Sequence, residues 1–411
     1  MGTRAVGDRH PLTETTQTTT RTAGRLLFVD NIRIFLTVLV ILHHLMIIYA
    51  GSGSWIYTEG RQDEISAALG AWFCSINQAY FMGLFLLISA YFVPGSYDRK
   101  GPARFLKDRL IRLGIPLGLY SWVVRPLFIY LAIVRPEATD IFLRSWYRSE
   151  YFRDYGIIGG GPLWFISTLL IFSAVYVLWR LVSDSRRYRP QKQLVGQPPV
   201  GRPPVAGPFP SGWAIVLFGL GLAATTFLVR LRFPVNESFQ PLNLQLANFA
   251  QYAALFVVGL LAYRHNWLLA LPASRGKLWM GIAVSLVILY PVLAIATGAA
   301  EDSEPFMGGW TWQSLVFALF ESFLAVSMCL GLIYFFRRFW DRQGQVAGIL
   351  SRSAYGAYLV HEPVISLLAM AAAGLAWHPL LKFGLAAPVA VSFSFGLAIL
   401  IRRLPHADRV L

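Results

Sequence analysis

Four ionisable side chains, Asp30, Arg33, His43 and His44, sit in the first apolar stretch of this 411-residue chain. Ionisable groups inside apolar helices are costly and mark function by default. Arg33 and His44 are eleven residues apart. At about 100° per residue they lie some 20° from a common helix face, separated along the axis by about 16 Å. Such a face can hold an anionic donor at its guanidinium end and a reacting centre at its imidazole end. Histidine titrates near neutrality and can act as general base or as nucleophile. His43 points about 100° away from His44. Either ring can instead make a hydrogen-bonded helix–helix contact.

Other residues carry similar potential. His361 lies in Ser353-Ala354-Tyr355-Gly356-Ala357-Tyr358-Leu359-Val360-His361-Glu362-Pro363, where Pro363 frees a backbone carbonyl. Glu321 falls at matched depth in another apolar stretch, so a Glu321–His361 pair is one expectation; simple packing of Glu321 is the other. Arg109 and Arg112 are i, i+3 neighbours suited to clamp phosphates or to flank anionic lipid. Gly159-Gly160-Gly161-Pro162-Leu163-Trp164-Phe165 reads as a turn entering a helix, with Trp164 as an interfacial anchor. Cys74 and Cys329 both lie in apolar runs, which points to neither a disulfide framework nor a cysteine metal site.

The elements that must position these groups are membrane helices. Composition is 56% hydrophobic and only 14% charged, with a mean hydropathy of +0.53, well short of the ~25% charge of soluble domains. Apolar stretches near 26–50, 66–93, 112–134, 161–182, 212–229, 246–263, 278–298, 311–336, 353–373 and 379–401 predict an all-α polytopic membrane protein of about ten transmembrane helices. Residues 1–25 read as a disordered tail, 26–402 as the transmembrane domain, 183–210 as a Pro-rich basic linker inside it, and 403–411 as a C-terminal tail. The net charge of +15 would suit a nucleic-acid partner in a soluble protein. Here the segments on the N-terminal side hold 26 of the 36 Lys+Arg against 8 on the opposite side. The positive-inside rule then places both termini in the cytoplasm of a multi-pass protein, with no nucleic acid needed to explain the charge.

In their order these segments resemble the acyltransferase-3 family of integral membrane acyltransferases. The matching pieces are Val29-Asp30-Asn31-Ile32-Arg33 followed by His44 (Arg-x10-His), Phe85-Leu86-Leu87-Ile88-Ser89-Ala90-Tyr91-Phe92, Arg109-x-x-Arg112 ahead of Ile115-Pro116, Leu163-Trp164-Phe165, and Ser353 to His361. Ala90 stands where the family often has Gly. The resemblance implies transfer of an acetyl or succinyl group from acyl-CoA to a hydroxyl of a carbohydrate or lipid-linked envelope acceptor, in a bacterial plasma membrane. It makes His44 the catalytic histidine and Arg33 its motif partner, and gives Arg109 and Arg112 the CoA phosphates. No metal is implied. His361 and Glu321 are expected to orient His44 or the acceptor.

His44 can act as a base or carry the acyl group itself, and the His43-His44 doublet leaves two candidate rings. The rival reading is a proton-coupled transporter or flippase using His44, His361 and Glu321. Acceptor specificity is expected on Gly51 to Ile65 and Arg135 to Gly160, whose aromatics Trp55, Tyr57, Trp146, Tyr147, Tyr151 and Tyr155 could stack on sugars or anchor in the interface.

Overall fold

The structure is a computed structural model that describes residues 25–130 apart from 52 and 60–62, residues 151–152, 161–186, 207–407 apart from 236, 240 and 241, and residue 410. The helices are α1 (Leu27–Ala50), α2 (Glu64–Gln78), α3 (Phe81–Tyr91), α4 (Val93–Lys100), α5 (Pro102–Arg109), α6 (Ile115–Leu119), α7 (Arg125–Ile129), α8 (Trp164–Arg186), α9 (Gly212–Arg230), α10 (Phe249–Arg264), α11 (Ala273–Ala296), α12 (Trp312–Phe339), α13 (Gln345–Ala371) and α14 (Pro379–Ile401). Among the described residues the only β pairing is an isolated bridge between Phe239 and Leu244. The protein is therefore an all-α polytopic membrane protein. Residues 1–24, and most of the 183–210 segment and of the Arg135 to Gly160 loop, lie outside the described residues.

Among the described residues, eight helical segments are long and apolar enough to cross a membrane. The two remaining expected stretches are helical but differ in kind. The described part of the expected 112–134 span, up to residue 130, is a ladder in which π turns (Leu110–Gly114, Tyr120–Val124) alternate with α6 and α7. Pro116 and Pro126 open the two α pieces and lack an N–H, so the regular i→i−4 bond cannot form there. The carbonyl of Arg112 that Pro116 leaves unused is taken by the Tyr355 hydroxyl at 2.9 Å. The expected 353–373 span is α13, which carries Arg352, His361 and Glu362. Both departures from plain apolar helices fall where the candidate chemistry lies.

α1 is the axle of the bundle, packed against α13, α14, α12, α2 and α3. Its Phe28, Ile32, Leu36, Ile41, Leu45 and Ile48 have no exposed surface. Since lipid tails are as apolar as these side chains, close packing and buried polar contacts hold such helices together. α9 and α11 pack on α12, and α10 packs on α3. There Gly259 allows the closest approach: a Cβ at Gly259 would stand 2.2 Å from the Leu87 carbonyl and 2.7 Å from the Ala90 Cβ. On α11 and α14, Ile288, Val292, Ile295, Phe393 and Leu400 are exposed, which suits a lipid-facing rim. Val410 lines the same cavity as Arg33, so both ends of the bundle emerge on one face.

Candidate active site

α1 and α13 bring His44 and His361 together, Nδ1 to Nε2, at 3.0 Å. The other nitrogen of His361, Nδ1, faces the Tyr358 carbonyl at 2.6 Å. A carbonyl only accepts, so His361 Nδ1 carries a proton and, in the neutral ring, Nε2 carries a lone pair. His44 must then donate from Nδ1, which leaves its Nε2 as a proton acceptor. With both rings neutral, this arrangement assigns one tautomer to each. His361 is fully buried, whereas His44 is half-buried, so the basic nitrogen belongs to the more accessible ring.

The rings around this pair hold it in place. Trp55, from the segment after α1, stacks on His44 with centroids 4.3 Å apart and planes 25° apart. Tyr358 stacks on His361 at 5.6 Å, and its hydroxyl donates to the Pro162 carbonyl. His43 is buried, 4.9 Å from the Phe81 ring and edge-on to His44 at 5.3 Å. Its Nδ1 has no hydrogen-bond partner among the described residues. Of the two adjacent histidines, His44 is the one joined to a second functional group.

Arg33, Arg109 and Arg112 meet in a cavity of about 480 Å³ at the N-terminal end of α1. Arg99 and Lys100 add charge to its wall, with Asp108 the single carboxylate among the lining residues. Arg33 lies 3.5 Å from Asp30 and 5.0 Å from the Phe92 ring centre. Asp30 is also paired with Arg25 at 2.5 Å. Ser89 and Phe92 of the Phe85–Phe92 motif line the cavity, as does Tyr355. A concave site with this excess of guanidinium suits a polyanion such as a phosphate-bearing donor. Among the described residues no three His, Cys, Asp or Glu side chains form a cluster that could hold a metal ion.

Glu321 is not placed with His361. It forms an ion pair with Arg230 at 2.5 Å, and Arg230 also donates to Asn248 at 3.1 Å. The expected Glu321–His361 pair is thus replaced by two separate contacts, because α12 turns Glu321 toward α9 while α13 turns His361 toward α1. Trp164, half-buried, stacks on buried Tyr252 at 5.3 Å.

Sequence reasoning passed over a second buried cluster beside His361. Glu362 accepts from the Tyr120 hydroxyl and pairs with Arg125, whose Nε lies 3.2 Å from one carboxylate oxygen. Gly161 closes it: its φ of +46° suits glycine, and a Cβ would stand 2.7 Å from Arg125 Nε and 3.0 Å from Glu362 Oε2. A signal existed, since Arg125 and Glu362 are opposite charges inside apolar helices. Their pairing was hidden because it joins segments 237 residues apart.

A paired imidazole and a guanidinium-lined cavity thus share one helix of the bundle, an arrangement that suits the class of enzymes that move an anion-tagged group to a nucleophile. The family comparison makes that class specific: the acyltransferase-3 model, described as an acyltransferase domain, matches residues 26–402. The chain belongs to the acyltransferase-3 family. It is 26% identical over 275 residues to glucans biosynthesis protein C of Salmonella gallinarum and 27% identical to that of Salmonella schwarzengrund. Each alignment covers 64% of this chain and 65% of the relative, so the match spans just under two thirds of the relatives' length. No solved structure matches the chain.

Proposed function

We propose that the protein transfers an acetyl or succinyl group from cytoplasmic acyl-CoA to a hydroxyl of a carbohydrate or lipid-linked acceptor of the cell envelope. The observation that carries this reading is the relay from the Tyr358 carbonyl through His361 to His44, which leaves His44 Nε2 open as a base. The names of the similar Salmonella proteins support a glucan as the acceptor class. The excess of Lys and Arg on the face carrying both termini supports a cytoplasmic position for that face, in a bacterial plasma membrane.

The donor enters from that face with its CoA phosphates against Arg33, Arg109 and Arg112. The rise of about 16 Å from Arg33 to His44 is of the order of the pantetheine arm, so the thioester lies beside His44. His44 Nε2 takes the acceptor's hydroxyl proton as the oxygen attacks the thioester carbonyl. The tetrahedral intermediate collapses by breaking the C–S bond, and the proton on His44 passes to the departing thiolate. The imidazolium formed on the way keeps its Nδ1–H on His361, which holds the ring in the reactive orientation. At that distance Arg33 serves donor binding rather than the oxyanion.

Proteoliposomes test the reading. Purified protein given acetyl-CoA or succinyl-CoA should release CoA thiol only when a glucan oligosaccharide is present, with ester appearing on the glucan. Glucan uptake without acyl-CoA, and no ester, would instead support the transport reading.

A further inference from the structure

The described part of the segment after α1 folds back along the end of that helix, with Gly51, Gly53, Ser54 and Thr58 exposed and Trp55, Ile56, Tyr57 and Glu59 half-buried. Gly51 ends α1 in the left-handed conformation, and Gly53 has a φ of +134°, which only glycine adopts without strain. The backbone N–H of Glu59 donates to the Ile48 carbonyl at 3.0 Å, so the returning chain lies along the last turns of α1. Backbone at this depth is tolerated where protein covers it. Trp55 is carried down onto His44, 4.3 Å away between ring centres, and lies 6.2 Å from His361. Its indole N–H donates to Ser366 Oγ on α13 at 3.1 Å.

Two ion pairs fasten this strap to α14. Lys382, 5% exposed, meets Glu59 at 2.6 Å. His378 lies 3.2 Å from Asp63, whose carboxyl the Ser66 hydroxyl and backbone N–H hold below the usual carboxylate range. A buried pair such as Lys382–Glu59 is a poor source of net stability, but it fixes the register of the chain it joins. Trp55 and Tyr57 of this strap pack against side chains of α1, α13 and α14, toward the C-terminal end of α1 and away from the arginine cavity.

Resting on the reading of His44 as the base, we propose that Trp55 is a positioning residue of the acyl transfer. Its indole, pinned by Ser366 and by the Glu59–Lys382 pair, sets the plane of the His44 ring and shields that ring from the face opposite the donor cavity. Water entering there would hydrolyse the thioester, and exclusion of water is a recognised use of such closures. The acceptor hydroxyl must reach His44 past this strap, which makes Trp55 the inner wall of the acceptor path.

The test uses full-length protein in proteoliposomes and a readout independent of activity: the rate at which diethyl pyrocarbonate modifies His44, followed by peptide mass spectrometry with His265 as internal reference. Trp55→Ala should raise the His44 rate about tenfold, while Trp55→Phe, which keeps a stacking ring, stays within about threefold of wild type. Lys382→Met, which leaves Trp55 intact but removes the latch, should also raise it severalfold. In the CoA-release assay Trp55→Ala should lower kcat roughly tenfold or more, with the acyl-CoA KM unchanged. Equal His44 labelling in wild type, Trp55→Ala and Lys382→Met overturns the proposal, as does a Trp55→Ala defect confined to the acyl-CoA KM. Absence of acyl-CoA turnover in wild type would remove the functional reading, while the labelling still reports on the strap.

Discussion

Two of the buried polar contacts that tie helices across this bundle differ in what they leave over. Arg230 on α9 and Glu321 on α12 meet at 2.5 Å, and a further guanidinium donor is taken by Asn248. Their charges cancel and both sit inside protein. His44 and His361 meet at 3.0 Å, and with both rings neutral their relay ends on an unused lone pair in a half-buried ring. A closed ion pair can only hold two helices in register. A relay with one open end can accept a proton, and in a family of acyltransferases that is the feature the chemistry needs.

The comparison can be broken most forcefully at the ion pair. Arg230→Met strands a buried carboxylate and should cost about 3–5 kcal/mol of stability, read as a loss in thermal unfolding temperature in detergent. The double variant Arg230→Met/Glu321→Leu should recover most of that loss, and folded molecules of both should turn over acyl-CoA like wild type. Lost turnover in a well-folded double variant would move Glu321 from scaffold to chemistry.

At the histidine pair the expected pattern is reversed. His361→Phe removes the acceptor for His44 Nδ1–H, so the ring samples both tautomers. The kcat should fall roughly a hundredfold, about 2.7 kcal/mol, with little change in unfolding temperature or in the acyl-CoA KM. Next in size is the donor cavity. Arg109→Ala/Arg112→Ala should raise the acyl-CoA KM roughly 30-fold, about 2 kcal/mol, through lost charge-assisted contacts, with kcat at saturation nearly kept. The smallest effect belongs to His43, whose contacts are ring packing; His43→Phe should stay within about threefold of wild-type turnover, under about 0.7 kcal/mol.

The same contrast explains which parts of the site could be read from the chain. Arg33 and His44 were legible because both lie on one helix, where spacing fixes the face. Arg109 and Arg112 were legible as a local pair, and their shared cavity with Arg33 agrees with that reading. A role for His361 in orienting His44 was among the expectations, but the contact itself depends on how α13 packs on α1, and matched depth offered Glu321 as a competing partner. Arg230 was counted as a loop charge at the end of its stretch, which hid the partner Glu321 has. Trp55 read as an aromatic for sugar stacking or interfacial anchoring, because nothing local announces that its segment folds back along α1 and sets the indole on His44. The fold was legible for the uniformly apolar helices, and least so for the stretches at 112–134 and 353–373. There prolines and charges that serve the site replace the plain membrane pattern.

The central claim is that His44 Nε2 is the base of acyl transfer. Its most direct test is the acceptor-dependent CoA release of purified His44→Ala in proteoliposomes, compared with wild type at saturating acyl-CoA and equal folded protein. Loss of a general base predicts a fall in kcat of about 10²- to 10⁴-fold with the acyl-CoA KM preserved. Turnover within a few-fold of wild type would contradict the account.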